Sequence, residues 1–280
     1  MTRRLTVTDH DRDAQGLTYV YAVISRRAGG VSVGINLNPN NACNWRCVYC
    51  QVPDLQRGVG PPIDLDQLEQ ELGGLLDDIL TGDFLERSAP PEARELKDVA
   101  FSGNGEPTTS PQFAESVQLV ARMLESRGVE VPVTLITNGS MLNKAPNLAA
   151  LERLAETNGR VWFKLDVGTA GGARAINGQP LDLDKHLRRL RQSAERCPTW
   201  VQTCMVAIDG EPPPDEELDA YVGHLGRLKE EGVPLRGVLL YTLARPSMQP
   251  EAPRLSALDR RWLEELAERI ASVGLVADVA

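Results

Sequence analysis

The sequence predicts an α/β protein organised around a parallel sheet. From about residue 31, short β-branched runs alternate with longer stretches of helical periodicity, which is the order that βα units produce. A length of 280 residues is enough to bury one large hydrophobic core, so we expect a single domain over residues 1–280. No run of about eighteen uncharged apolar residues occurs, so no membrane-spanning helix is predicted.

The predicted strands are short segments rich in β-branched and aromatic residues. In chain order they are VSVGINL (31–37), DVAFS (98–102), PVTLIT (132–137), RVWFKLD (160–166), WVQTCMVAI (200–208) and LRGVLLYTL (235–243). Amphipathic segments between and after them are the predicted helices, at residues 64–80, 111–128, 146–156, 182–194, 215–231 and 256–274. Asp or Pro opens the first two helices, and Gly128 is the expected C-terminal stop of the second.

This series of strands and helices forms either a partial (βα) barrel or an open doubly wound sheet, and periodicity alone does not choose between them. Three proline-rich segments interrupt the series, at residues 88–94, 210–217 and 245–254. We expect all three to be exposed connections, because proline punctuates helices and strands.

Charge and cysteine content limit the classes of partner and location. Thirty Lys and Arg against thirty-nine Asp and Glu give a net charge of −9, which repels a phosphate backbone and disfavours nucleic acid as a partner. The start MTRRLTVTDHDRD is charged and has no apolar stretch behind it, so we expect a cytoplasmic protein without membrane association. Five cysteines, an odd count without an export signal, predict reduced thiols rather than disulfides.

Cys43, Cys47 and Cys50 form a C-x3-C-x2-C cluster just after the first predicted strand. Thiolates select zinc, copper(I) and iron–sulfur clusters. A structural zinc needs a fourth ligand, usually from a second closely spaced pair, and the histidines of this chain are isolated from one another. Three thiolates can instead hold a cubane cluster and leave one iron open to a small molecule. Structural zinc in a non-catalytic fold stays as an alternative.

The spacing of these cysteines, with Asn44 and Trp45 inside it and Tyr49 before the third cysteine, resembles the cluster-binding loop of the radical S-adenosylmethionine (SAM) superfamily. The resemblance implies a partial (βα)6 barrel that uses a [4Fe–4S] cluster and SAM as cofactors. In that family SAM binds the open iron, and an electron from the cluster cleaves it to methionine and a 5′-deoxyadenosyl radical that abstracts hydrogen from a substrate. Tyr49 is then expected near the adenine, and a reducing partner such as a flavodoxin or ferredoxin is implied.

The segment SGNGEPT (102–108) follows the second predicted strand, and its glycines allow close backbone approach. Alone it would be an ordinary glycine-rich turn. Beside the cysteine loop, it matches the superfamily's Gly-Gly-Glu-Pro motif, which holds the methionyl ammonium of SAM. The matching residues are Gly103, Asn104, Gly105, Glu106 and Pro107, with Asn in the first middle position.

Polar residues at the ends of the later strands are further candidates for cofactor binding. Thr137 and Asn138 end the third predicted strand, where they either contact the amino-acid part of SAM or form a turn. Strand alternation places Lys164 and Asp166 on one face, so they are either partners of each other or, for Asp166, a ligand of the ribose. Gln202 on the fifth predicted strand is a candidate of the same kind.

Three stretches narrow the resemblance to small single-domain radical SAM proteins related to the wybutosine-synthesis enzymes, which modify tRNA. They are SRRAGGVSVGINLNP (25–39), VWFKLDVGTAGGARAINGQP (161–180) and LLYTLARPS (239–247), and the likeness runs over a core of about 25–275. The chain has no cysteine before Cys43 for a second cluster, no fused flavodoxin-like domain and no strongly basic face. The tRNA reaction is therefore not expected, and the substrate is an unidentified small molecule or peptide.

Arg26, Arg27 and Arg245 are expected near the barrel mouth, where guanidinium groups bind carboxylate or phosphate, or else pair with the surplus acidic residues. With Lys164 and Asp166, Arg26 and Arg245 are the candidate catalytic residues. Two other functions stay open, an electron-transfer or regulatory iron–sulfur protein that never cleaves SAM, and an activase of a glycyl-radical partner.

Cys197 and Cys204 lie beside or inside the fifth predicted strand. A cysteine in that setting is usually a small buried hydrophobe, which is the interpretation we prefer. The alternative is a thiol that accepts a group or a radical from the substrate.

Overall fold

The computed structural model describes residues 4–6, 16–25 and 29–280. Its strands are β1 (Val20–Ser25), β2 (Gly30–Ile35), β3 (Ala42–Cys43), β4 (Gln56–Arg57), β5 (Leu96–Phe101), β6 (Val133–Thr137), β7 (Arg160–Lys164), β8 (Thr199–Cys204), β9 (Val206–Ile208), β10 (Leu235–Tyr241), β11 (Leu255–Ala257) and β12 (Ala277–Val279). Its helices are α1 (Leu65–Leu80), α2 (Phe84–Ser88), α3 (Phe113–Ser126), α4 (Ala145–Glu156), α5 (Ala170–Ile176), α6 (Leu183–Ala194), α7 (Asp215–Glu230) and α8 (Arg260–Ser272).

One eight-stranded sheet organises the fold, in the order β1-β2-β5-β6-β7-β8-β10-β12. All of its neighbouring strands are parallel except β1, which pairs antiparallel with β2. The predicted α/β class with a mainly parallel sheet is confirmed. Within the described part of the chain the edge strands β1 and β12 are not bonded to each other, so the sheet stays open on one side.

The six predicted strands correspond to β2, β5, β6, β7, β8 and β10, which are consecutive neighbours in the sheet. All six residues of β2 and the last four of β5 are buried, whereas β7 alternates between buried and partly exposed residues. All six predicted helices are present within a few residues of their expected bounds. Gly128 has a φ of 63°, the left-handed conformation expected just after the end of α3.

Several elements differ from the prediction. The strand predicted over 200–208 divides at Met205 into β8 and β9, and β9 pairs with β11 outside the main sheet. The helix predicted from residue 256 therefore begins only at Arg260, because residues 255–257 are held in β11. Asp259 caps that helix by accepting a hydrogen bond from the backbone N–H of Trp262.

The segment 245–254 is not the exposed connection that its prolines predict. Ser247 and Gln249 are buried, although Met248 between them is 57% exposed. Both buried side chains donate hydrogen bonds to backbone carbonyls of residues 43–50, Ser247 to that of Val48 and Gln249 to that of Cys50. The prediction was wrong here because a proline-rich segment satisfies few of its own backbone groups and is free to bond to another part of the chain.

Candidate functional site

A cavity of about 380 Å³ lies inside the curved sheet and reaches its carboxyl edge. Residues from β1, β2, β5, β6, β7, β8 and β10, and from the loops that follow them, line it. The predicted site residues among its walls are Cys43, Cys47, Tyr49, Cys50, Gly103, Asn104, Gly105, Glu106, Thr137, Asn138, Lys164, Gln202 and Arg245. The fold thus brings to one cavity residues that are far apart in the sequence.

The three cysteines of the C-x3-C-x2-C pattern all face this cavity. All five cysteines of the chain are free thiols. Among the described residues, no three His, Cys, Asp or Glu side chains converge on one point as the ligands of a single ion would. Each cysteine of a cubane binds a different iron, so its ligands need not converge. Three thiols on one wall, with space beside them, fit the donor set of such a cluster.

Burial changes the acidity of these thiols. It raises the pKa of Cys43 to about 12, and that of Cys47 to about 11. The nearby ammonium of Lys164 acts in the opposite direction on Cys47 without overcoming burial. Both thiols are therefore protonated at neutral pH in the metal-free protein, and metal binding has to displace their protons.

The cysteine loop, residues 43–50, is tied to the loop after β6. The side-chain amide of Asn138 donates to Oδ1 of Asn44 at 2.8 Å, and Nδ2 of Asn44 donates to Oγ of Ser140 at 2.6 Å. Asn138 in turn accepts from the backbone N–H of Ser140. The predicted pair Thr137 and Asn138 therefore has a structural role here, and its contact with a cofactor stays a prediction.

Glu106 is a carboxylate that is only 2% exposed. It accepts hydrogen bonds from the hydroxyl of Thr137 at 2.6 Å, from the backbone N–H of Asn138 at 2.6 Å, and from the hydroxyl and N–H of Thr108. Burial raises its pKa, and these donors only partly offset that effect. Glu106 thus joins the ends of β5 and β6 and presents a fixed, partly desolvated carboxylate at the cavity wall.

Gly103 and Gly105 pack too closely against the loop after β2 for any larger residue. A Cβ at Gly103 would lie 2.4 Å from Oδ1 of Asn36, and one at Gly105 would lie 2.1 Å from the carbonyl oxygen of Ala42. Between them, the N–H of Asn104 donates to Oδ1 of Asn36 at 3.0 Å. The glycines therefore let the 103–106 loop lie directly against the chain that leads into the cysteines.

Tyr49 connects the cysteine loop to the end of β7. Its hydroxyl donates to Oδ2 of Asp166 at 2.5 Å and accepts from Nζ of Lys164 at 2.8 Å, and that ammonium also lies 4.8 Å from the ring centroid. Lys164 and Asp166 are thus linked through Tyr49 rather than paired directly. Burial acts to lower the pKa of Lys164, but the acidic groups of Tyr241, Asp166 and the nearby thiols raise it above its usual value.

Asp166 is not among the described residues that line the cavity. Asp166 is 3% exposed. Besides the bond from Tyr49, its carboxylate accepts hydrogen bonds from the backbone N–H of Cys204 and from the side-chain amide of Asn177. Buried and partly exposed residues alternate along β7 as predicted, but β7 ends at Lys164. Asp166 lies beyond that end and does not share the cavity face with Lys164. Binding of the ribose by Asp166 stays a prediction, and the contacts in the structure give it a structural role.

Gln202 is buried in β8 and lines the cavity. Among the described residues, nothing donates a hydrogen bond to its Oε1. An unpartnered buried acceptor costs free energy unless a ligand or water supplies the donor, so this oxygen fits a bound cofactor with N–H or O–H groups. Arg245 also lines the cavity, whereas Arg26 and Arg27 lie outside the described residues.

The other two cysteines, Cys197 and Cys204, lie in different parts of the structure. Cys197 lies in the main hydrophobic core, where burial raises its pKa to about 12. Cys204 lines the cavity and packs in the apolar cluster around Trp45 and Tyr49. The preferred interpretation as a buried hydrophobe suits Cys197, while Cys204 is placed where either of the predicted roles is available.

Sequence reasoning missed three side chains that hold the cysteine loop, namely Asn177, Ser247 and Gln249. Asn177 lies 3.5 Å from Sγ of Cys47, and Ser247 and Gln249 bond to the carbonyl oxygens of residues 48, 50 and 52. Asn177 and Ser247 stood inside the stretches that carry the family resemblance. Only the polar side chains of these residues, within otherwise apolar or proline-rich segments, could have indicated from the sequence that they bond to the cysteine loop.

Comparison with known proteins gives one family. A protein-family model described as the Radical SAM superfamily matches residues 37–222, more than half of the chain. A curated protein, GTPase Obg of Brachyspira hyodysenteriae, is 23% identical over 220 residues, which cover 76% of this chain and 28% of that protein. The chain therefore spans well under a third of that relative, and it contains no Gly-Lys-Ser/Thr sequence such as ends a phosphate-binding loop.

Solved structures agree in fold. A radical SAM methyltransferase from Sphaerobacter thermophilus superposes with a TM-score of 0.60 at 13% identity, covering 93% of this chain and 68% of that one. Archaeal TYW1 superposes with a TM-score of 0.50 at 16% identity, covering 86% of this chain and 71% of that one.

No helix in the described ranges has both the length and the apolar character needed to cross a membrane.

Proposed function

The chain belongs to the radical SAM superfamily, whose members use a [4Fe–4S] cluster and SAM, and from this premise we propose the reaction that it carries out. The protein is an enzyme that reductively cleaves SAM to methionine and a 5′-deoxyadenosyl radical, which abstracts hydrogen from its substrate. The substrate is proposed to be a small molecule or a peptide.

One observation carries the proposal. The three cysteines of the C-x3-C-x2-C pattern and the glycine-rich loop 103–106 line the same cavity, although about sixty residues separate them in the chain. A metal site alone would not need that loop, and a sensor that only exchanges electrons would not need a cavity of about 380 Å³ beside its thiols. The arrangement fits a cluster with a small organic cofactor next to it.

The residues of the chain would act by binding and orienting the two cofactors. Cys43, Cys47 and Cys50 would hold the cluster. The 103–105 loop lines the cavity where the amino-acid part of SAM would bind, and Oε1 of Gln202, to which no described residue donates, offers an acceptor in the same cavity. Trp45 and Tyr49, which are both buried, form the apolar part of the wall beside the thiols.

We propose a flavodoxin or ferredoxin as the electron donor and a cytoplasmic location. The relation to the wybutosine-synthesis branch is supported by the motif stretches and by the fold shared with archaeal TYW1. Nucleic acid remains a disfavoured substrate, because the net charge of the chain is −9.

The proposal is tested by anaerobic reconstitution with iron and sulfide, followed by reduction with dithionite in the presence of SAM. We expect about four irons per chain, as a [4Fe–4S] cluster requires, and release of 5′-deoxyadenosine. Replacing Cys47 by Ala should abolish both, whereas Cys197→Ala is the matched control, because Cys197 lies in the core away from the cavity. A loaded, reducible cluster that releases no 5′-deoxyadenosine would overturn the proposal in favour of an electron-transfer protein.

A further inference from the structure

Asn177 touches one of the proposed cluster ligands. Its Nδ2 lies 3.5 Å from Sγ of Cys47, and the same nitrogen lies 2.7 Å from Oδ2 of Asp166. Asn177 is 1% exposed and Cys47 is 9% exposed, so water does not compete for this contact. Asn177 is the residue that follows α5, and it lies outside the predicted binding residues.

The orientation of the Asn177 amide is fixed by its neighbours. The carboxylate of Asp166 can only accept when ionised, so the amide group that faces it has to be the NH₂. An NH₂ group has two hydrogens, which allows one bond to Asp166 and one to the sulfur. The amide oxygen points away, and among the described residues it has no hydrogen-bond partner.

Asp166 is itself held firmly. Its Oδ2 also accepts from the hydroxyl of Tyr49 at 2.5 Å, and its Oδ1 accepts from the backbone N–H of Cys204 at 2.9 Å. Nζ of Lys164, on the cavity wall, donates to the same Tyr49 hydroxyl at 2.8 Å. A continuous chain of hydrogen bonds therefore runs from the cavity through Tyr49 and Asp166 to Asn177.

The backbone adds a second constraint on Asn177. Its carbonyl accepts from the N–H of Arg46 at 3.2 Å, and that of Ile176 accepts from the N–H of Val48 at 2.8 Å. The next residue, Gly178, has a φ of 60°, and a Cβ there would lie 2.5 Å from the carbonyl oxygen of Arg46. The end of α5 thus lies against the cysteine loop on both sides of Cys47, and the amide has little freedom to turn away.

We propose that Asn177 is a positioning residue that donates a hydrogen bond to the sulfur of Cys47 and raises the reduction potential of the cluster. The inference rests on the proposed function, because it requires that Cys47 holds a cluster. Reduction adds negative charge that is shared with the sulfur ligands, and a donor at a sulfur stabilises the reduced form more than the oxidised form. Asp166 and Tyr49 contribute to this effect through the orientation that they give to the amide.

The test is a potentiometric titration of the reconstituted full-length protein, followed by the electron paramagnetic resonance signal of the reduced cluster. In Asn177→Ala, reduction should become on the order of tenfold less favourable, which is about 59 mV more negative for a one-electron couple. Asn177→Ser should behave in the same way, because its shorter side chain does not reach the sulfur. The signal reports only loaded molecules, so incomplete loading of a variant leaves the measurement valid.

Asn147→Ala is the matched control, because Asn147 is also a buried asparagine, lies outside the cysteine loop and donates to the carbonyl oxygens of Thr108 and Met141 rather than to a sulfur. Its potential should stay at the wild-type value. If both Asn177 variants keep the wild-type potential, or if Asn147→Ala shifts it equally, the inference is wrong. If the wild-type protein itself takes up no [4Fe–4S] cluster, the proposed function fails instead, so the two failures are distinguishable.

Discussion

Glu106 shows what a single buried carboxylate contributes and costs. It is 2% exposed and its bonding partners are uncharged donors, so no cation offsets the cost of burying its negative charge there. Its pKa in the folded protein is raised by burial above the ordinary value of 4.5. Between these two pKa values the folded state binds more protons than the unfolded state, so the free energy of unfolding falls as pH rises.

The direction of this change in unfolding free energy can be tested on the metal-free protein. From pH 4.5 upwards, the contribution of Glu106 to the unfolding free energy should fall until the pH exceeds its raised pKa, whereas His186, whose pKa burial lowers to about 4, contributes in the opposite direction. Glu106→Gln cannot ionise at this position, so the unfolding free energy of the wild type relative to that of the variant should fall as pH rises over this range in urea-unfolding experiments. Glu115→Gln, an exposed glutamate on α3, is the control and should follow the wild type. Parallel curves for the wild type and Glu106→Gln would contradict the prediction.

The types of residue in the site were the most predictable from the sequence. Whether each polar side chain is already bonded to another part of the protein was not predictable. Thiol spacing predicts the three cluster ligands, and residue types predict the glycine-rich loop. The sequence could not show that the carboxylate of Asp166 is already bonded to Tyr49 and Asn177, because these partners are 117 and 11 residues away in the chain. Whether a polar side chain is free to bind a ligand depends on such partners, and one sequence does not reveal them.

At the scale of elements, the segment after β10 supports the cysteine loop. The carbonyl oxygen of Cys50 accepts from the N–H of Met248 at 2.9 Å, from the hydroxyl of Ser247 at 3.1 Å and from Nε2 of Gln249 at 3.3 Å. Ser247 also donates to the carbonyl oxygen of Val48 at 2.6 Å. Three donors on one carbonyl fix the backbone that carries the third cysteine.

The double variant Ser247→Ala, Gln249→Ala should therefore retain its cluster less well. Loss of residues that orient metal ligands typically weakens metal affinity by about 10–100-fold, because the ligands are no longer held in place. The measurement is iron per chain over time in the presence of a chelator under anaerobic conditions. Met248→Ala is the matched control, since its backbone N–H keeps its bond to the loop and its side chain is 57% exposed. Equal rates of iron loss in both variants would count against this support.

A second element, β1, was not predicted from the sequence, although it forms one edge of the sheet. Its residues VYAVIS form a short apolar run without alternation, and such runs do not distinguish strand from helix. In the structure β1 lies antiparallel to β2, and Tyr21 covers Gly34 directly. Tyr21 and Val23 then line the cavity on the side where the sheet is open.

The contact between β1 and β2 can be tested by overpacking. A Cβ at Gly34 would lie 2.1 Å from Cζ of Tyr21, so Gly34→Ala should destabilise the protein by about 1–3 kcal/mol in urea unfolding. In the background of Tyr21→Ala the ring is gone, and the same substitution should cost much less. If the cost is the same in both backgrounds, the two strands do not pack as described.

For the whole molecule, periodicity predicts the six consecutive parallel strands and their helices, because each βα unit repeats the same local pattern. It does not predict how the carboxyl ends of those strands are joined. That connection is made by the cysteine loop, which bonds to the loop after β6, to Asp166 after β7, to the end of α5 and to the segment after β10. These contacts are long-range and polar, and they leave no periodic signal in the sequence.

Because one loop joins four parts of the structure, the cluster that it is proposed to hold should stabilise all of them together. Ligand binding to the folded state stabilises every segment that must open for the ligand to leave. Removing the cluster with a chelator should therefore increase amide hydrogen exchange in 43–57, 138–140, 176–178 and 245–251 at the same time. The helices α1 and α3 are the internal control, because they cover the outside of the sheet and contribute no residue to the cavity wall. Exchange that increases only in residues 43–50 would show that the loop moves independently, and the contacts described here would not couple the strand ends.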